Sequence, residues 1–163
     1  METSTNYERC QAELRRLKIN YQQVDHPAVE TCEQADQYIK GYEGARTKTM
    51  LLTDKHHYYL LLMGEEARMD FKALRDKFGS RRLSLAKPAE LASELGLHPG
   101  SVSPLGLLNS TDPDLRVYLD RQLLATPTWI VHPNDNTHTV FLKQEDLLRF
   151  ITAQGYDYQV IDL

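Results

Sequence analysis

No apolar run in this chain approaches the ~20 residues needed to cross a bilayer, so a membrane-spanning protein is not expected. Cations are also in the minority. Nineteen Lys and Arg against 23 Asp and Glu leave a net charge of −4, and neutralising phosphates takes clustered Lys and Arg. A broad nucleic-acid surface and a DNA partner are therefore not expected. Cysteine occurs twice, at Cys10 and Cys32, in different expected helices and without Cys-x-x-Cys spacing. Isolated thiols of this kind read as reduced core residues rather than a disulfide or redox pair. Residues Met1 to Asn6 lack the basic and apolar parts of a secretion signal, so the cytoplasm is the expected location. Repeats, low-complexity tracts and linker-like segments are absent too.

What is present fits a globular protein, with 41% hydrophobic and 26% charged residues. A length of 163 residues suggests a single domain over 1–163, large enough to bury roughly two-thirds of its unfolded surface. The stretch Ala45 to Met63 anchors it. Met50-Leu51-Leu52 and Tyr58 to Met63 read as two apolar strands, buried on both faces and joined by a polar turn at Thr53 to His56. Lys48 interrupts the entry to the first strand. An ammonium there must either reach water along its stem or meet an anionic group, because burying it unpaired is costly.

The other elements follow from caps and breakers. Thr5 to Glu8 forms a capping box opening a helix over about Asn6 to Lys18, with Leu14 and Leu17 inward. This helix packs on the domain as residues 1–19. Asn20 to Asp25 alternates as a strand and stops at His26-Pro27. Thr31 caps a short helix to about Ile39, and Asp70 caps one ending at Gly79. Arg82 to Ala86 reads as a strand, and Lys87-Pro88 opens a helix ending at Gly96. Short strands are expected at Leu105–Asn109, Arg116–Leu119, Thr128–His132 and Thr137–Leu142. A helix over Gln144–Gln154 and a strand over Tyr156–Asp162 close the chain. The class is mixed α/β (α+β), with a closed or nearly closed sheet, a partial barrel, flanked by helices.

Two further stretches carry chemistry. In Pro99 to Gly106, Gly100 can adopt φ > 0 and admit a ligand or another backbone closely. The amides of Gly100, Ser101 and Val102 could point at an anion or a carbonyl oxygen, or the segment is an ordinary helix-to-strand turn. It is not a Gly-x-Ser-x-Gly nucleophile elbow. In His132 to Asn136, a histidine leaves an apolar strand into a polar turn, where it either serves a site or fixes that turn. His132, Asp135 and His138 match no common zinc spacing. Neither a metal nor another cofactor is expected.

Together these stretches give a resemblance. Asp25-His26-Pro27, Thr47 to Leu52, Arg82 to Ala86, Gly100 to Gly106 and His132 to Thr137 follow one another as in the YbaK/ProX family of trans-editing aminoacyl-tRNA deacylases. The likeness runs from Tyr21 to Leu163 and is greatest to the branch that removes alanine mischarged onto proline tRNA. It implies a pocket for the 3′-terminal adenosine and its esterified amino acid. The family's lysine falls on Lys48, its glycine loop on Gly100 to Pro104 and its histidine on His132. Thr49 stands where relatives often carry Asn, and His138 where a small residue is usual.

On that resemblance, Lys48 holds the aminoacyl or ribose-phosphate end, while the amides of Gly100 and Ser101 face the carbonyl oxygen. Substrate contacts are expected from Tyr21, His26, Thr47, Met50, Ser103, Ile130, His132 and Asn136. No Ser-His-Asp order or activated cysteine is visible, so water attacks directly, with help from the substrate's 2′-hydroxyl. The expected substrate is Ala-tRNA(Pro), gripped at its acceptor end, with prolyl-tRNA synthetase as a further partner. The competing reading is a non-catalytic module that docks tRNA or a synthetase.

Overall fold

The computed structural model describes residues 5–163. Helix α1 (Asn6–Arg16) opens on Thr5, whose hydroxyl accepts from the Glu8 amide at 3.1 Å and donates to the Glu8 carboxylate at 3.0 Å. That cap satisfies an amide the helix cannot pair itself. Cys10 and Leu14 are fully buried against Trp129, Val140 and Phe150, and Leu17 and Tyr21 pack partly buried on the same cluster.

Strand β1 (Gln22–Asp25) leads to α2 (Cys32–Asp36), capped by Thr31 accepting from the Gln34 amide at 3.2 Å. α2 stops three residues before the expected Ile39. Beyond it the amides of Tyr38, Ile39 and Tyr42 bond three residues back, to Ala35, Asp36 and Ile39, so the chain continues in tight turns. Strands β2 (Ala45–Thr53) and β3 (Tyr58–Gly64) form the expected antiparallel hairpin. Its turn is held by the Asp54 carboxylate, which accepts from the His56 and His57 amides at 2.8 and 2.6 Å and from the Tyr59 hydroxyl at 2.7 Å. Burial opposes ionisation of Asp54, yet these donors and the Ser80 hydroxyl hold it well below the usual carboxylate range.

Helix α3 (Phe71–Phe78) carries the Asp70 cap and ends at Gly79 in the left-handed region. Strand β4 is only Ser84–Leu85, and α4 (Pro88–Leu95) follows, closed by Gly96. The expected strand at Leu105–Asn109 is instead a 3₁₀ helix over Pro104–Asn109. The buried Ser103 hydroxyl caps it by accepting from Leu105 N at 3.1 Å, and Pro104 presets its first turn. Strands β5 (Arg116–Asp120), β6 (Thr128–Val131) and β7 (His138–Lys143), helix α5 (Gln144–Ala153) and strand β8 (Tyr158–Ile161) complete the chain.

The strands form one mixed sheet in the order β1-β7-β6-β2-β3-β5-β8, with β4 paired to β2 off that path. The sheet is not closed; β1 and β8 are its ends. Strand β2 is central. One edge pairs with β3 from Thr47 to Thr53, but the other is shared. β6 runs parallel to it only at Ala45 and Arg46, and β4 antiparallel only at Leu52 and Thr53. Residues 47–51 therefore have a strand on one side and an opening on the other.

Candidate active site in the gap beside β2

The opening is a cavity of about 430 Å³. Register decides what it exposes. Leu51 O accepts from Ala86 N on the β4 side, and backbone direction alternates along a strand. The N–H and C=O of Thr47 and Thr49 therefore also point to this edge. The Thr47 hydroxyl donates to Ile130 O and ties β2 to β6 just past the end of their ladder.

Lys48 lines the cavity half-buried, and no carboxylate lies within ion-pair distance of it among the described residues. Facing the same space are Gly100 and Val102 from the loop after α4, and Met50, Ile130 and His132. Gly100 has φ +97°, a conformation L side chains rarely adopt, and packs against the backbone of Val29 and Glu30. Its amide and that of Val102 have no acceptor among the described residues. Ser101 differs. Its amide bonds His98 O at 3.0 Å and its hydroxyl donates to the same oxygen, so it closes the turn and does not line the cavity.

His132 Nδ1 lies 3.1 Å from His138 O, and only a protonated Nδ1 can donate to a carbonyl. That leaves Nε2 as the ring's acceptor. Burial pushes the imidazole below its ordinary range and keeps it neutral near pH 7.

The remaining expected contacts sit behind the wall. His26 bonds Thr139 Oγ1 at 2.8 Å through Nε2, and Thr139, not His26, lines the cavity. Asn136 exchanges hydrogen bonds with Val29, donating from Nδ2 at 2.9 Å and accepting at its carbonyl from Val29 N, and so braces the backbone that Gly100 rests on. Ser103 is a helix cap, and Tyr21 packs on the α1 core; neither reaches the cavity.

Sequence reasoning missed the acidic side of the site. Glu33, Asp36 and Glu65 line the same cavity. Burial, then a hydrogen bond and repulsion from Asp36, push the Glu65 carboxyl up to about 8. Glu65 follows directly on β3, and its amide bonds Arg46 O at 2.8 Å. Its place on the same cavity as Lys48 is a product of hairpin register that charge patterning does not reveal. Cys32 also lines the cavity, its thiol pushed up to about 11 by burial.

Among the described residues, no three His, Cys, Asp or Glu side chains gather as a metal site. No helix there is long and apolar enough to cross a membrane.

Residues 26–150 match the family model described as the aminoacyl-tRNA editing domain. This chain belongs to that family. The matched range thus contains every residue that lines the cavity, from Glu30 to Thr139, including Lys48, Gly100 and His132. Among relatives, the prolyl-tRNA editing protein ProX of Acetoanaerobium sticklandii is 36% identical over 154 residues, spanning 93% of this chain and 94% of that protein. The prolyl-tRNA synthetase associated domain-containing protein 1 of Danio rerio is 31% identical, covering 85% of this chain and 77% of its own. A solved structure described as a candidate trans-editing enzyme for prolyl tRNA synthetase superposes with a TM-score of 0.79. It is 25% identical and covers 99% of this chain and 98% of that one.

Proposed function

We propose that this editing domain hydrolyses, in trans, the ester of proline tRNA mischarged with alanine, and spares Pro-tRNA(Pro). The observation that carries this reading is the unpaired cation of Lys48 on the same cavity as the free amide of Gly100 and the acceptor nitrogen of His132. The full-length likeness to a prolyl-tRNA editing protein supports the substrate class.

An aminoacyl ester is intrinsically labile, so the site has to hold it, place water and stabilise the oxyanion. The Gly100 and Val102 amides face the ester carbonyl oxygen; Ser101, whose amide is bonded to His98, positions the loop. The oxygen of water bonds to the carbonyl carbon, and the bond to the ribose 3′-oxygen breaks. The water proton passes to that oxygen with help from the neighbouring 2′-hydroxyl, which His132 Nε2 orients. Lys48 holds the aminoacyl or ribose-phosphate end by charge.

Met50 and Ile130 form apolar wall. An apolar pocket separates one methylene by only about 1–3 kcal/mol, so sparing proline rests on steric exclusion of its ring. A deacylation assay with Ala-tRNA(Pro) and Pro-tRNA(Pro), wild type beside Lys48→Ala, tests the reading. Alanine release should exceed proline release and fall about 10²–10³-fold in the variant. Equal cleavage of both substrates removes the sieve, and an undiminished Lys48→Ala rate removes the mechanism. Binding without any cleavage would make the domain a docking module.

A further inference from the structure

Between α2 and β2 runs Tyr38-Ile39-Lys40-Gly41-Tyr42. Ile39 points inward, 1% exposed, while Tyr38 and Tyr42 are 38% and 37% exposed. Neither tyrosine ring lies loose. Tyr38 stacks on His26 with ring centroids 5.3 Å apart and planes 12° from parallel, and Tyr42 stacks on Phe141 at 5.1 Å and 25°. Their hydroxyls have no partner among the described residues.

The seats of the two rings are one side-chain layer from the cavity. His26 bonds Thr139, which lines it. Phe141 clusters with Ile39 and Ile130, which also line it. Thr139 and Phe141 are two apart on β7 and share a face, opposite Val140 and Leu142 in the α1 core. Thr139, which holds His26, and Phe141, which holds Tyr42, are thus about 7 Å apart along one strand. The segment between the two tyrosines is fixed in advance. The Arg46 guanidinium donates to the carbonyls of Ile39, Tyr42 and Gly44 at 2.9–3.0 Å.

We infer that Tyr38 and Tyr42 form a stacking platform for the unpaired nucleotides that precede the terminal adenosine of an RNA whose 3′ end occupies the cavity. The inference rests on the editing reading for the identity of that RNA. Base faces stack on aromatic rings without regard to sequence, and two pre-positioned rings offer this at little ordering cost. Lys40 between them supplies one cation, offset by neighbouring Glu43, so the affinity comes from stacking and depends weakly on salt.

The test uses two substrates: alanyl-adenosine, which lacks the preceding nucleotides, and an alanylated RNA minihelix ending in CCA. Tyr38→Ala and Tyr42→Ala should each lower the ratio of kcat/KM for minihelix over alanyl-adenosine by about fivefold or more, mainly through KM. Tyr38→Phe and Tyr42→Phe should keep the wild-type ratio. Anisotropy with an unacylated single-stranded oligonucleotide ending in CCA should show the same order of affinities. An unchanged ratio in the alanine variants, with unchanged oligonucleotide affinity, overturns the platform. If the wild type cleaves neither substrate, the editing reading fails. The oligonucleotide titration then still decides whether the rings bind RNA.

Discussion

Lys48 and Glu65 line one cavity without forming an ion pair. Partial burial and the neighbouring Asp36 push the Glu65 carboxyl up to about 8, so near neutral pH it carries little negative charge.

Glu65 therefore gives the first prediction. Above pH 8 it ionises and competes for Lys48, so deacylation should decline on the alkaline side, and Glu65→Gln should remove that decline. Stability follows the same proton. The folded pKa of about 8 exceeds the ordinary 4.5, so the folded state binds more protons between them. The contribution is complete below pH 4.5 and lost as pH rises through 8. Urea titrations at pH 6 and 9 should show wild type losing more stability than Glu65→Gln. Equal losses would refute the protonated carboxyl.

The unpaired ammonium suggests that Lys48 serves activity at a cost in stability. Lys48→Met should lower deacylation about 10²–10³-fold, as Lys48→Ala does, while leaving the melting temperature unchanged or higher. A gain of about 1 kcal/mol reads as roughly 2–4 °C. A lower melting temperature would mean that Lys48 is structural.

His132 predicts the acid limb. Burial lowers its pKa from 6.5, so a reaction needing the free Nε2 should fall only at pH values below that. The single-turnover rate should fall to half only at a pH below 6.5, and His132→Ala should lower the plateau and erase the acid limb. A midpoint above 6.5 would contradict the assignment.

Gly100 separates backbone strain from crowding. A Cβ there meets Glu30 and Val29 at 3.5 Å, ordinary contact, but φ is +97°. Gly100→Ala should cost about 1–2 kcal/mol of stability from backbone strain. It should also lower kcat more than it raises KM, because the oxyanion amide moves. An effect on KM alone would place the loop in binding.

The elements read from local signals were those whose stabilisation is local. Thr5, Thr31 and Asp70 cap helices with their own hydroxyls or carboxylates, and Gly79 and Gly96 stop them. The hairpin around Asp54 formed as its apolar runs indicate. Leu105 to Asn109 misled because every residue but the last is apolar or glycine, so no period stands out. The Ser103-Pro104 cap was the overlooked signal. Ser101 was expected to offer an amide, but its acceptor His98 lies three residues back, and only a folded turn shows the pair closed.

Sequence alone determined the chain order of Lys48, the Gly100 loop and His132, the negative net charge, and the hairpin and helix caps. Tertiary structure decided the rest: that β6 and β4 each cover only one end of β2, so residues 47–51 open onto a cavity, and that Asp36 and Glu65 arrive there together. Strand pairing between distant segments sets which side chains share a space, and burial sets which of their protons stay. Neither is encoded at any single position.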